Sequence, residues 1–190
     1  MRISLPLLLS FLVVATAEGR IGETSLQFVG RYGPPKDTQL TKIADRSSPL
    51  IEGAIHHTYE YQGWKIRAAF LQLDGPAVRM DYQKLSGASN SIQIQDYELQ
   101  AIAGANTPPG MSWNRTAYDN PNSPSKGINK LVEGFAGDAF GQKMWRRSDG
   151  AILWSRSNLI VRLELPIARQ YEAQQKAAKE QKARASVPSF

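Results

Sequence analysis

Between residues 55 and 83 the chain alternates apolar and polar side chains with a period of two. Ile55, His57, Tyr59 and Tyr61 alternate with Thr58, Glu60 and Gln62. Trp64, Ile66, Ala68 and Phe70 follow, interleaved with Lys65 and Arg67. Val78, Met80 and Tyr82 then alternate with Arg79, Asp81 and Gln83. Successive side chains of a strand point to opposite faces, so each run predicts a strand with one dry face. Gln62-Gly63 and Asp74-Gly75 supply the turn signals between them. Together they predict an antiparallel meander, wet on one side.

A short helix is predicted before this meander, over 24–32. Thr24 is an N-cap candidate, Ile21 a staple residue, and Leu26 with Val29 the apolar stripe. Gly33 suits a positive φ, and Pro34-Pro35 blocks continuation. The scheme then recurs. Asp96 is the cap candidate of a second helix, with Leu99 and Ile102 as its stripe and Gly104 near its end. Ile21 and Ile94 are 73 positions apart (94 − 21), as are Leu26 and Leu99 and Val29 and Ile102. A strand over 113–118, a loop over 119–127, and helical spacing of Ile128, Leu131, Val132 and Phe135 come next. Strands are predicted over 143–147, 151–155 and 159–165, the last stopped by Pro166. Residues 167–185 favour helix but carry few apolar anchors, which predicts an exposed, fraying helix that contributes little to stability. The fold expectation is α+β: two helix-plus-antiparallel-meander repeats with a protruding C-terminal helix. The boundaries are 18–92 and 93–166 for the two units and 167–190 for the charged helical tail.

Residues 1–17 stand apart. Arg2 precedes an apolar run, and Ala15-Thr16-Ala17 precedes the polar Glu18-Gly19-Arg20. This is the pattern of a secretory signal peptide cut after Ala17, and the run is shorter than a membrane span. The expected location is the periplasm or the extracellular space, with no transmembrane segment after cleavage. Cysteine is absent, which excludes disulfides, thiolate metal sites and a lipidated anchor cysteine. An exported chain of this size without disulfides fits a bacterial envelope protein.

The formal net charge is +6. Without Arg2 the chain has 22 basic and 17 acidic residues, or +5. The tail holds +3 of this, through Arg169, Lys176, Lys179, Lys182 and Arg184 against Glu172 and Glu180. The body is left with 17 basic against 15 acidic residues, too even a balance for a nucleic-acid groove.

The stretch Ile21-Gly22-Glu23-Thr24 through Gly33-Pro34-Pro35, followed by a meander, resembles a family of small exported domains. It includes the repeats of the β-lactamase inhibitor protein and the small lipoprotein subunit of the outer-membrane assembly machinery. The tandem layout is most similar to the inhibitor protein and to secreted bacterial proteins of the same layout. The resemblance covers most of residues 21–165 and implies a helix leading into an antiparallel sheet. This chain lacks both the anchor cysteine of the lipoprotein and the cysteines that pin the inhibitor's repeats. No functional residue is carried over.

Candidate chemistry is sparse. His56 and His57 are adjacent and face opposite ways on a strand, so they do not share a metal. His57 is expected to pack beside Tyr59, with His56 solvated. There is no nucleophile elbow, phosphate loop or dinucleotide fingerprint, and no catalytic residue, cofactor or metal is implied. The richest cluster is Trp145, Arg146 and Arg147 with Trp154 and Arg156. Trp145 and Arg147 share a face, as do Trp154 and Arg156, and guanidinium over indole is favourable. Trp145, Arg147, Trp154 and Arg156 are therefore the candidate partner-binding residues. The plainer alternative is that each tryptophan is core and the arginines snorkel. The functional expectation is a non-enzymatic exported interaction module of the bacterial envelope. Its partner would be another envelope or extracellular protein, with weak anionic contact through the tail and no specific nucleic acid. The alternative is a small hydrolase or a lipid- or glycan-binding protein using a cleft between the repeats.

Overall fold

The computed structural model describes residues 20–40, 49–87, 92–116, 143–156 and 158–186. The leader, the loop at 119–127, the helical spacing at 128–135 and the last four residues lie outside them. Among the described residues the chain is an α+β protein of three helices and eight strands. In chain order these are α1 (Ser25–Tyr32), β1 (Asp37–Leu40), β2 (Ile55–Tyr61), β3 (Trp64–Phe70), β4 (Ala77–Lys84), α2 (Asp96–Ala105), β5 (Trp113–Thr116), β6 (Lys143–Arg147), β7 (Ile152–Arg156), β8 (Ile160–Glu164) and α3 (Pro166–Ala185). No described helix is long and apolar enough to cross a membrane.

All eight strands form one antiparallel sheet in the order β1-β2-β3-β4-β8-β7-β6-β5. In chain order each half thus runs from its own edge to the centre, β1 to β4 and β5 to β8. The halves meet at β4 and β8, where Arg79 opposes Glu164 and Gln83 opposes Ile160. The meander follows the alternation. Gln62 and Gly63 both take positive φ (48° and 82°), the conformation of a two-residue hairpin turn. Asp74-Gly75 does not form such a turn; residues 71–76 make a wider loop closed by Gly75 N–H donating to the Gln72 carbonyl at 3.1 Å. Strand β1 lies in what reads as a polar stretch, because its four residues carry no apolar alternation.

One sheet face packs on α1 and α2. Its core joins Phe28, Tyr59, Phe70, Met80, Tyr82, Leu99, Ile102, Leu153, Val161 and Leu163. Phe28 is the centre of an aromatic cluster, 5.6 Å from Tyr32, Tyr59 and Phe70 by ring centroid. The expected α1 stripe was rotated: Leu26 is 78% exposed, whereas Phe28 is fully buried. Eight residues make barely two turns, so one bulky aromatic aimed at the sheet fixes the rotation. Thr24 caps α1 in a capping box with Gln27. The cap of α2 is Gln95, not Asp96; the Glu98 carboxylate accepts the Gln95 backbone N–H at 2.7 Å. Asp96 sits in the first turn and pairs with Lys143 at 2.6 Å. The capping residues are therefore 71 positions apart (95 − 24), as are the core residues Phe28 and Leu99 (99 − 28), whereas the buried Ile21 and Ile94 keep the offset of 73 (94 − 21).

A smaller core forms on the opposite face, from Leu50, Ile51, Ala54, Ala69, Val78 and Ala168. Here the tail departs from expectation. Pro166 both ends β8 and opens α3 at its first position, where a missing N–H costs nothing. Ala168 is fully buried, Tyr171 packs on the second core, and Glu172 reaches the buried Arg79 with contacts of 2.8 and 2.6 Å. Only from residue 173 onward is the helix exposed throughout.

Candidate interaction face

The sheet face away from α1 and α2 is organised in rows. One row crosses all eight strands in register: Asp37, Thr58, Arg67, Asp81, Arg162, Trp154, Met144 and Thr116. The next row holds His56, Ala69, Arg79, Glu164, Ile152, Arg146 and Asn114 on seven of the strands. The residue 49–54 loop and the first turns of α3 cover the His56–Ala69–Arg79 end of that second row. Among the described elements no helix covers the centre of the first row.

At that centre Asp81 is buried and receives both Nε and Nη2 of Arg162, at 2.6 and 2.7 Å. A bidentate fork of this kind is strong and fixes the plane of the guanidinium. Arg162 in turn lies over the Trp154 ring, 5.1 Å from its centroid. Trp154 and Met144, half-buried, continue the row, and Arg146 beside them is exposed. The face is thus a carboxylate, a guanidinium, an indole and a thioether held edge to edge on rigid strands.

The four candidate residues do not form one cluster. Trp145 opposes Leu153 and packs, partly buried, against the main core. Arg147 shares that side. It is 3% exposed, forks onto Asp149 at 2.9 and 2.7 Å, donates to the Asn106 carbonyl, and stacks on Trp113 at 5.4 Å. The charged fork holds the Asp149 carboxyl below its usual range. Trp154 lies on the opposite face, whose centre no described helix covers. Arg156 closes β7 opposite Ile160, and its side chain lies outside the described residues. Of the four, Trp154 has a place on the open face and Arg147 is a buried strut. Asp81, Arg162 and Met144 were missed, because it takes the β4–β8, β7–β8 and β6–β7 pairings together to bring them beside Trp154. Arg146 was in the cluster but not among the candidate residues.

A buried polar knot ties the halves together behind the sheet. Asn106 is fully buried; its Oδ1 accepts the Ile21 N–H at 2.7 Å, and its Nδ2 donates to the Tyr82 hydroxyl at 3.3 Å and the Ile102 carbonyl at 2.8 Å. Burial pushes the Tyr82 and Tyr32 hydroxyls well above the ordinary tyrosine range, so both remain neutral hydrogen-bonding groups. The histidines point to opposite faces, but both are buried. His57 Nδ1 is 3.0 Å from the Tyr59 hydroxyl, and His56 Nε2 accepts the Ile51 N–H at 3.2 Å. His56 is therefore not solvated, because the 49–54 loop folds over it. Among the described residues no three metal-ligating side chains converge.

Compared with family models, with curated proteins and with solved structures, the chain matches none.

Proposed function

We propose that this chain is a non-enzymatic binding module, exported to the bacterial envelope or beyond, whose open sheet face contacts another protein. The observation that carries this reading is the central row Arg67–Asp81–Arg162–Trp154–Met144 on a face that no described helix covers at its centre. Tryptophan, arginine and methionine are the residue types enriched at interface cores. Rigid strands and the Asp81–Arg162 fork hold them in place, which lowers the entropy lost on docking. Export rests on the residue 2–17 pattern, and the bacterial setting on the absence of cysteine.

Tandem duplication belongs to the same proposal. The capping box on each of α1 and α2 and the edge-to-centre course of both sheet halves support it, as does the likeness to the small exported domains that include the β-lactamase inhibitor protein. The exposed half of α3 adds a weak, salt-sensitive contact with anionic surfaces. The face reading is favoured over a cleft between the units, because a continuous ladder from Arg79 to Gln83 fills the junction within the sheet.

The test is residue-specific photocrosslinking in cells that export the chain. A photoreactive residue at Met144 or Arg146 should yield discrete protein adducts. One at Tyr97, exposed on α2, should not. Equal adducts from all three positions, or none from the sheet positions, overturns the reading.

A further inference from the structure

The half of the open face built by β8, β7 and β6 is basic and apolar. By register it carries Ile160, Arg162, Ile152, Trp154, Met144 and Arg146. Its acidic side chain, Glu164, is engaged at the covered end by Arg79 at 2.5 Å and Arg169 at 3.2 Å. The neighbouring Asp81 occupies Nε and Nη2 of Arg162, leaving Nη1 for a further acceptor. Arg146 is exposed one row away.

Resting on the binding-face reading above, we propose that this half-face docks an acidic protein surface, with carboxylates meeting Arg146 and Arg162 and an apolar side chain over Trp154 and Met144. Charge complementarity selects the occupant. A second copy docking through the same half-face would bring like charges together, which is costly at an interface. The apolar portion, Trp154 with Met144, Ile152 and Ile160, suits a protein better than a bare polyanion, because only a protein brings apolar area to bury against it. The first half of the face differs: by register its cations Lys65 and Arg67 stand among Glu60, Asp37 and Asp81, so it offers no comparable excess of cation.

The experiment uses a random dodecapeptide phage library panned against the full mature chain. Selected peptides should be rich in Asp and Glu beside an apolar residue. Their binding should fall about tenfold in Arg146→Glu, and comparably on raising salt to about 0.5 M. Arg146 is exposed, so this variant leaves folding intact; Trp154→Ala, checked for an unchanged melting profile, removes the apolar anchor. Neutral or basic peptides that nevertheless lose binding in Trp154→Ala overturn the acidic partner and leave the face reading standing. Peptides indifferent to both variants, or no binders above background, overturn both. Binding lost instead on deleting residues 174–190 assigns the acidic contact to α3 and overturns the proposal.

Discussion

Asp81 and Arg162 face each other across the β4–β8 ladder and close a bidentate pair at 2.6 and 2.7 Å, at the seam where the two halves of the sheet meet. Asp81 is buried, whereas the Arg162 side chain keeps 24% exposure beside Trp154. The pair thus belongs both to the junction and to the open face.

Removing one partner leaves the other charge poorly solvated. Asp81→Ala should cost about 1–3 kcal/mol, and a double-mutant cycle with Arg162→Ala should show a coupling of about 1–2 kcal/mol. Urea denaturation of the four species measures both. Strict additivity would show that the seam does not depend on the pair.

The first turns of α3 and its exposed remainder should separate cleanly. Deleting residues 174–190 should change unfolding free energy by less than about 1 kcal/mol, since the described side chains among them, 174–186, are exposed. Deleting residues 170–190 also removes Tyr171 and the Glu172 partner of buried Arg79, and should cost about 2–4 kcal/mol. Thermal unfolding of both truncations decides it. At Arg79 burial alone would disfavour the cation, but Glu172 and Glu164 outweigh it and raise its pKa.

Acid should destabilise the fold in two windows. Burial lowers the pKa of His56, with Arg67 adding to the effect, and burial lowers that of His57. The unfolded chain then binds protons first, so this contribution is complete above the ordinary value of 6.5 and is lost as pH falls from there toward the folded pKa. Asp149 has its pKa lowered by Arg147, so its contribution is present above 3.8 and is lost further into acid. Urea midpoints should therefore fall between pH 7.5 and 5, and less steeply in His56→Gln. A midpoint independent of pH in that range would refute the buried-neutral assignment.

Asn106 has three side-chain hydrogen bonds in full burial. Asn106→Ala should cost about 2–4 kcal/mol, because the Ile21 N–H and the Tyr82 hydroxyl lose a partner that water cannot replace. Chemical denaturation reads it; a loss under about 0.5 kcal/mol would mean the knot is replaceable.

The exported product should begin at Glu18, since Ala15-Thr16-Ala17 precedes the polar shift. Intact-mass measurement of the secreted or periplasmic protein checks it, and a product retaining Met1 in the membrane would refute it.

Local signals in the sequence determined the meander, the turn at Gln62-Gly63, the cap at Thr24 and the helix opened by Pro166. Each depends on side-chain alternation, a positive φ or a cap within a few residues, and these act before any tertiary contact forms. The α+β class follows from them. Tertiary structure alone decided which face of α1 is buried, because Leu26 and Phe28 are equally apolar on paper and only the sheet chooses between them. It also placed the cap of α2 at Gln95 rather than Asp96, turned Arg147 inward and set Trp154 apart from Trp145. The open face was illegible for the same reason. Asp81 and Arg162 are far apart in the chain, and their pairing depends on the β4–β8 register, which long-range packing fixes and local propensity does not encode.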